Sequence, residues 1–159
     1  MDDISQKLTP QLIFHYLDEV KDPEIPVISI RDLGILQQVL IESGVVVIGI
    51  IPTYSGCPAM HTIKADILTV LSKYGITSIE IKLMDDPVWN TDMISEAGRN
   101  AMNLYGIAPP LAADEKHIKC PQCGSPETTL ISQFGSTACK ALYRCQSCLE
   151  PFDYFKCHA

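Results

Sequence analysis

ILQQVLIESGVVVIGIIPTYSGCPAMHTIKADILTVLSKYG, residues 35–75, carries the pattern that decides the fold. Two β-rich runs, 35–42 and 45–51, are joined by Ser43-Gly44, a spacing that suits a two-residue hairpin. The second run, VVVIGII, reads as a central strand. Beyond the loop PTYSGCPA, Met60, Ile63, Ile67, Leu71 and Tyr74 recur at helical spacing from Ala59 onward, and Gly75 supplies the stop.

Outward from this block the same two periods continue. Residues 77–83 alternate apolar Ile79, Ile81 and Leu83 with polar Ser78, Glu80 and Lys82, the pattern of a half-buried strand that would join the hairpin's sheet. Upstream, Thr9 is a helix cap and Pro10 a first helical residue, with Leu12, Ile13, Tyr16, Leu17 and Val20 on one face. The prolines of DPEIPV, 22–27, end that helix in an extended loop, and ISIRDLG follows as a turn. Downstream of DDPVWNTD, residues 92–105 read as a third helix, with Gly106 as its cap and Pro109-Pro110 blocking continuation. The expected fold is α+β, a small helix-on-sheet domain of order αββαβα over 1–110. A linker, 111–117, then leads to a C-terminal zinc ribbon over 118–159.

Composition bounds the function. Of 159 residues, 47% are hydrophobic and 19% charged, enough apolar material for a real core. A formal charge of −7 argues against binding to phosphate backbones or anionic membranes, which need clustered Lys and Arg. No apolar run approaches the roughly 20 residues that cross a bilayer, and MDDISQKLTP lacks the features of a signal peptide. The expectation is a cytoplasmic protein with neither nucleic acid nor membrane as partner.

The seven cysteines are placed unevenly: Cys57 stands alone, and the other six lie between 120 and 157. Cys120-Pro121-Gln122-Cys123 and Cys145-Gln146-Ser147-Cys148 are two CxxC knuckles with 21 residues between them, slightly more than the usual ribbon spacing. Each knuckle presents two sulfurs from one tight turn, and two knuckles supply the four thiolates that tetrahedral Zn²⁺ accepts. A closed four-ligand site has no open position for water, so a structural ion is expected. Iron in the same sulfurs and a redox dithiol are the alternatives. TTLIS, ALYR and FDYFK read as the ribbon's strands. Cys139 and the pair Cys157-His158 are surplus: core filler and chain end, or further metal ligands.

Cys57 follows a strand and precedes a helix with Pro58 next in line, where a helix N-terminus favours a thiolate. It is a candidate reactive or metal-binding cysteine; the plain alternative is a small buried hydrophobe. Thr53, Tyr54 and Ser55 add hydroxyls. Asp22 and Glu24 on one loop, and Asp85, Asp86 and Trp89 on another, are placed to converge on it. Carboxylates beside a thiolate suit iron better than a nucleophile, because negative charge raises a thiol's pKa. His61 lies one turn into the helix, whereas His15 and His117 carry no signal. No P-loop, GxGxxG, GxSxG or HExxH pattern is present, so enzyme is the weaker class.

DPEIPV, RDLGI, PTYSGCPA and DDPVWNTDMISEAGR together resemble the SufT-like (DUF59, MIP-type) domain of metal-sulfur cluster biosynthesis. With FGSTACKALYRCQSCLEPFDYFKCH added, nearly the whole chain from Leu8 resembles the PaaD (PaaJ) family of accessory proteins of the phenylacetyl-CoA epoxidase (oxygenase) complex. The resemblance implies a non-catalytic accessory protein of aerobic phenylacetate degradation. Its partners would be a di-iron oxygenase subunit that epoxidises the ring and an iron–sulfur flavoprotein reductase; a homodimer is left open. It implies help in maturing an iron or iron–sulfur centre of those partners, with a scaffold linking oxygenase and reductase as the alternative. The family's characteristic cysteine falls on Cys57, its acidic loop on Asp22 and Glu24, and its zinc ligands on Cys120, Cys123, Cys145 and Cys148. One departure is Met93, where the family resemblance leads one to expect a second tryptophan.

Overall fold

Thr9 and Pro10 start the first helix in the computed structural model, which describes residues 7–111 and 114–156. The Thr9 hydroxyl accepts the Leu12 N–H at 3.2 Å, and α1 runs over Pro10–Leu17. It is shorter than the periodicity predicts, because residues 18–20 close on carbonyls three residues back and tighten away from α-helix. Val20 is buried all the same.

Strands β1 (Leu36–Glu42) and β2 (Val45–Ile50) form the expected antiparallel hairpin. Ser43 and Gly44 both have positive φ, 49° and 81°, the mirror-image turn whose twist matches paired strands. After α2 (Ala59–Lys73) the chain returns as β3 (Ile79–Leu83), parallel to β2, so the sheet order is β1-β2-β3 and β2 is central. Ile13 and Leu17 of α1, Ile63, Ile67 and Leu71 of α2, and Ile48 and Ile50 of β2 are fully buried. Much of the core also comes from the segment between α1 and β1: Ile25, Ile28, Ile30, Leu33 and Ile35 are at most 1% exposed. Periodicity gives no sign of this, since these residues sit in turns.

The predicted third helix is split. A 3-10 turn, Thr91–Met93, is capped by the Asn90 side chain, Ile94 is extended, and α3 begins at Glu96 and ends at Tyr105. Ser95 causes the break. Its hydroxyl accepts the Gly98 N–H at 3.0 Å and donates to Asp32 Oδ1 at 2.7 Å, while its N–H donates to the Asp32 carbonyl at 2.8 Å. The half-buried Met93 packs where a Cβ on Gly34 would stand only 2.7 Å from its own Cβ, a packing position.

The cysteine-rich tail forms a second sheet of β5 (Thr128–Ser132), β6 (Lys140–Cys145) and β7 (Pro151–Phe155). A fourth strand that the sequence pattern does not signal, β4 (Ile107–Ala108), follows α3 directly and pairs parallel with β7, giving the order β4-β7-β6-β5. Two guanidinium bonds hold this exit: Arg99 donates to the carbonyls of Pro110 at 2.6 Å and Thr91 at 2.7 Å. Cys139 and Phe155 of the tail belong to the main core, and Phe155 meets Trp89 edge-on at 6.1 Å between ring centres. The Trp89 indole N–H donates to the Leu33 carbonyl at 2.8 Å.

Ser95→Ala removes a cap worth about 1 kcal/mol and the donor to Asp32 Oδ1, so the urea midpoint should fall by at least that cap's share at unchanged m-value. A midpoint equal to that of the native protein would show that the break in the helix is set elsewhere.

Candidate metal sites

Two groups of ligand-type side chains stand out. In the tail, the sulfurs of Cys120, Cys123, Cys145 and Cys148 all lie within 4.8 Å of one another, the only such set of His, Cys, Asp or Glu among the described residues. Across the two knuckles, Cys120 and Cys148 are 3.7 Å apart and Cys123 and Cys145 3.5 Å. Four sulfurs each about 2.3 Å from a tetrahedral ion stand about 3.8 Å apart, close to the spacing of these two pairs, so the set suits one ion.

Both knuckles are built alike. The Gln122 N–H points at Cys120 Sγ at 3.4 Å and the Cys148 N–H at Cys145 Sγ at 3.5 Å, and each turn ends in a left-handed residue, Gly124 or Leu149. Ser125 and Ser147 hydroxyls, 2.8 Å apart, link the two. The Cys148 amide, with help from Ser147 and the neighbouring thiols, draws the Cys145 thiol down to about 6. Four thiols at this separation cannot all ionise without a cation, so an ion displaces their protons and is held less firmly as pH falls.

The second group joins the two halves of the chain. Cys57 is half-buried at the end of the loop before α2; its N–H donates to the Tyr54 carbonyl and its carbonyl accepts the Met60 N–H, each at 3.3 Å. Pro58 occupies the cap position of α2 and provides no side-chain cap, which leaves first-turn amides facing the Cys57 end. The Tyr54 hydroxyl is hydrogen-bonded to Cys57. Burial first, then Cys57 and the carboxylate of Glu24, pushes that phenol up to about 12.

Asp22 is buried, and its Oδ1 accepts the N–H groups of Glu24 and Ile25 at 2.9 Å each. Burial raises its pKa against these two bonds. Asp22 thus shapes the loop, and Glu24 is the carboxylate presented to the site. Glu24 Oε2 accepts the Cys139 thiol at 2.8 Å, and its carbonyl accepts the buried Lys140 ammonium at 2.8 Å. Burial, then Glu24, pushes the Cys139 thiol up to about 12.

Glu24 therefore meets Cys139 and Lys140 of the tail, Tyr54 meets Cys57, and Asp22 accepts the amides of the loop that carries Glu24. The Asp85–Trp89 loop reaches the other side of Tyr54. There a cavity of about 410 Å³ is lined by Thr53, Tyr54, Ser55, Asp85, Val88 and Trp89. Asp86 is exposed nearby, His61 is exposed on α2, His15 is exposed on α1, and the exposed His117 lines a cavity with Lys119, Cys120 and Gly124. Cys157 and His158 lie outside the described residues. The one sequence signal for Cys139 is its place in the tail outside both knuckles, next to a lysine.

Residues 10–81 match the family model described as iron-sulfur cluster assembly protein, and residues 108–156 match the PaaD zinc beta ribbon domain. An Escherichia coli protein, named as the putative D component among the subunits of 1,2-phenylacetyl-CoA epoxidase, is 48% identical over 151 residues, covering 91% of each chain. The chain belongs to the PaaD family. The resemblance read from the motifs is borne out, as is the α+β class. A Porphyromonas gingivalis protein named Fe-S protein maturation auxiliary factor is 38% identical over 90 residues, 55% of this chain and 85% of that one. Among solved structures, a DUF59 domain from Bacillus anthracis superposes with a TM-score of 0.55 at 26% identity, covering 60% of the PaaD-family chain and 92% of its own. A conserved hypothetical protein from Thermotoga maritima gives 0.52 at 25% identity, covering 61% and 96%.

Two outcomes follow from these geometries. Stripping the tail's ion with a chelator should shift the emission of the single tryptophan to the red, because Trp89 rests on Phe155; unchanged emission would show the tail moving without its neighbour. Asp22→Ala should cost about 1–3 kcal/mol by orphaning two amides, and Asp22→Asn, which keeps an acceptor oxygen, clearly less, as measured by urea denaturation.

Proposed function

We propose that this chain is an accessory subunit of a phenylacetyl-CoA epoxidase in aerobic phenylacetate degradation, and that it helps load iron or an iron–sulfur centre into partner subunits. The observation that carries the reading is the half-buried Cys57 at an uncapped helix start, hydrogen-bonded to Tyr54 and sharing its surroundings with Glu24. A thiol and a carboxylate at one opening can hold iron as cargo and release it by ligand exchange. In this reading Cys57 and Glu24 contact the cargo and Asp22 fixes the loop that presents Glu24.

The tail would carry structural zinc on Cys120, Cys123, Cys145 and Cys148. With four thiolates the ion has no vacant position for substrate, so its work is folding the ribbon. The chain itself would catalyse no step on the acyl-CoA. Its partners are the di-iron oxygenase subunit that uses the iron and the iron–sulfur flavoprotein reductase that feeds it electrons, both in the cytoplasm. Among the described residues no helix is long and apolar enough to cross a membrane.

The deciding experiment produces the partner subunits together with native chain or Cys57→Ala. Iron per oxygenase or reductase subunit and epoxidase turnover should collapse with the variant, while its zinc content and circular dichroism match those of the native chain. Normal iron in partners that still co-purify with Cys57→Ala would overturn the carrier role and leave a scaffold linking oxygenase and reductase.

A further inference from the structure

Cys139 is spare in the ribbon. The four-sulfur set is complete without it, and its side chain packs in the core of the N-terminal half rather than in the ribbon's own cluster of Ala108, Cys120, Cys145 and Phe152. There it meets the acidic loop: its thiol donates to Glu24 Oε2 at 2.8 Å and lies 3.1 Å from the Thr137 hydroxyl. Filler would need neither partner, and burying a thiol against a carboxylate is a poor way to fill space. Tyr54 and Cys57 pack against the same core cluster that holds Cys139, and Glu24 and Cys139 both bear on the Tyr54 phenol. Lys140, the next residue, places a buried ammonium on the Glu24 carbonyl. That positive charge offsets the negative charge a pair of thiolates would bring.

We infer that Cys139 is the second thiolate ligand for the cargo iron, completing with Cys57 a composite site at the seam between the assembly domain and the ribbon. The inference rests on the carrier reading of Cys57 and adds to it a partner from the other half of the chain. Binding is ligand exchange without redox change: iron(II) takes two thiolate sulfurs and two thiol protons leave. The Glu24 carboxylate, already holding the Cys139 S–H, is the nearest acceptor for one of them. The donors of Cys57, Glu24 and Cys139 do not all lie within 4.8 Å of one another, unlike those of the ribbon. A single ion therefore draws them together, whereas a preformed sulfide-bridged cluster, taken up whole by the same thiolate exchange, spans more room. Both forms share the same iron–thiolate chemistry.

The test loads the full, zinc-bearing chain without oxygen in two arms, ferrous ion alone and a preformed selenide-bridged di-iron cluster carried by small thiols, the latter so that protein sulfur can be counted separately at the iron absorption edge. Native protein should show two protein sulfurs per iron centre in the arm that loads. Cys57→Ser and Cys139→Ser should each lose at least the roughly 10–100-fold in iron affinity that removal of even an outer-shell partner costs, with zinc retained. If Cys139→Ser keeps native affinity while Cys57→Ser loses it, the inference fails and the carrier reading stands. If native chain takes up no iron in either arm, or both variants bind as well as native, both fail. Should Cys139→Ser lose zinc or aggregate, the native sulfur count decides: two supports the composite site and one overturns it.

Discussion

A lysine ammonium cannot be buried without partners, and the docking of the two halves of this protein turns on that constraint. Lys140 is 6% exposed, and the partner that makes this tolerable is the Glu24 carbonyl in the other half of the chain, with Asp22 close enough to be stabilised by it. The ribbon therefore has one seat. Once it is taken, Phe155 meets Trp89, β4 closes onto β7, and Cys139 is carried to Glu24. The electrostatic requirement selects the register, and the apolar contacts then contribute most of the burial.

Two groups of ligand-type side chains coexist in one short chain, and their donor sets are physically different. The ribbon gathers four thiols from two matching turns into a closed tetrahedron, with amides aimed at Cys120 and Cys145. The seam offers a looser mixture of thiol, carboxylate and phenol, open toward solvent at Cys57. Tight closure suits an ion that stays; spread and partial exposure suit one that leaves.

What was legible in the sequence was local. Ser43-Gly44 announced the hairpin, the 3.6-residue rhythm announced α2, and the CxxC spacing announced the four-thiol cluster, because each is fixed by residues near one another in the chain. The split at Ser95 depends on Asp32, more than sixty positions away, and no window around residues 92–105 contains that acid. The buried turns at 25–35 carry no period to detect. Strand β4 is only two residues long and exists because β7 lies beside it. For the candidate site, the sequence named Cys57, Tyr54 and the acidic loop but left Asp22 and Glu24 on equal standing. Only the fold separates the carboxylate that shapes the loop from the one that meets Cys139.

Strand β4 also has a bearing on inheritance. It emerges straight from α3, yet its hydrogen bonds belong to the ribbon's sheet, where it covers the outer edge of β7. An exposed strand edge invites pairing with whatever chain comes near. A ribbon that recombined into another gene with its cysteines alone would arrive with that edge bare. This ribbon can travel between proteins only in the company of the residues that follow the preceding helix, so the two halves are expected to evolve as one unit.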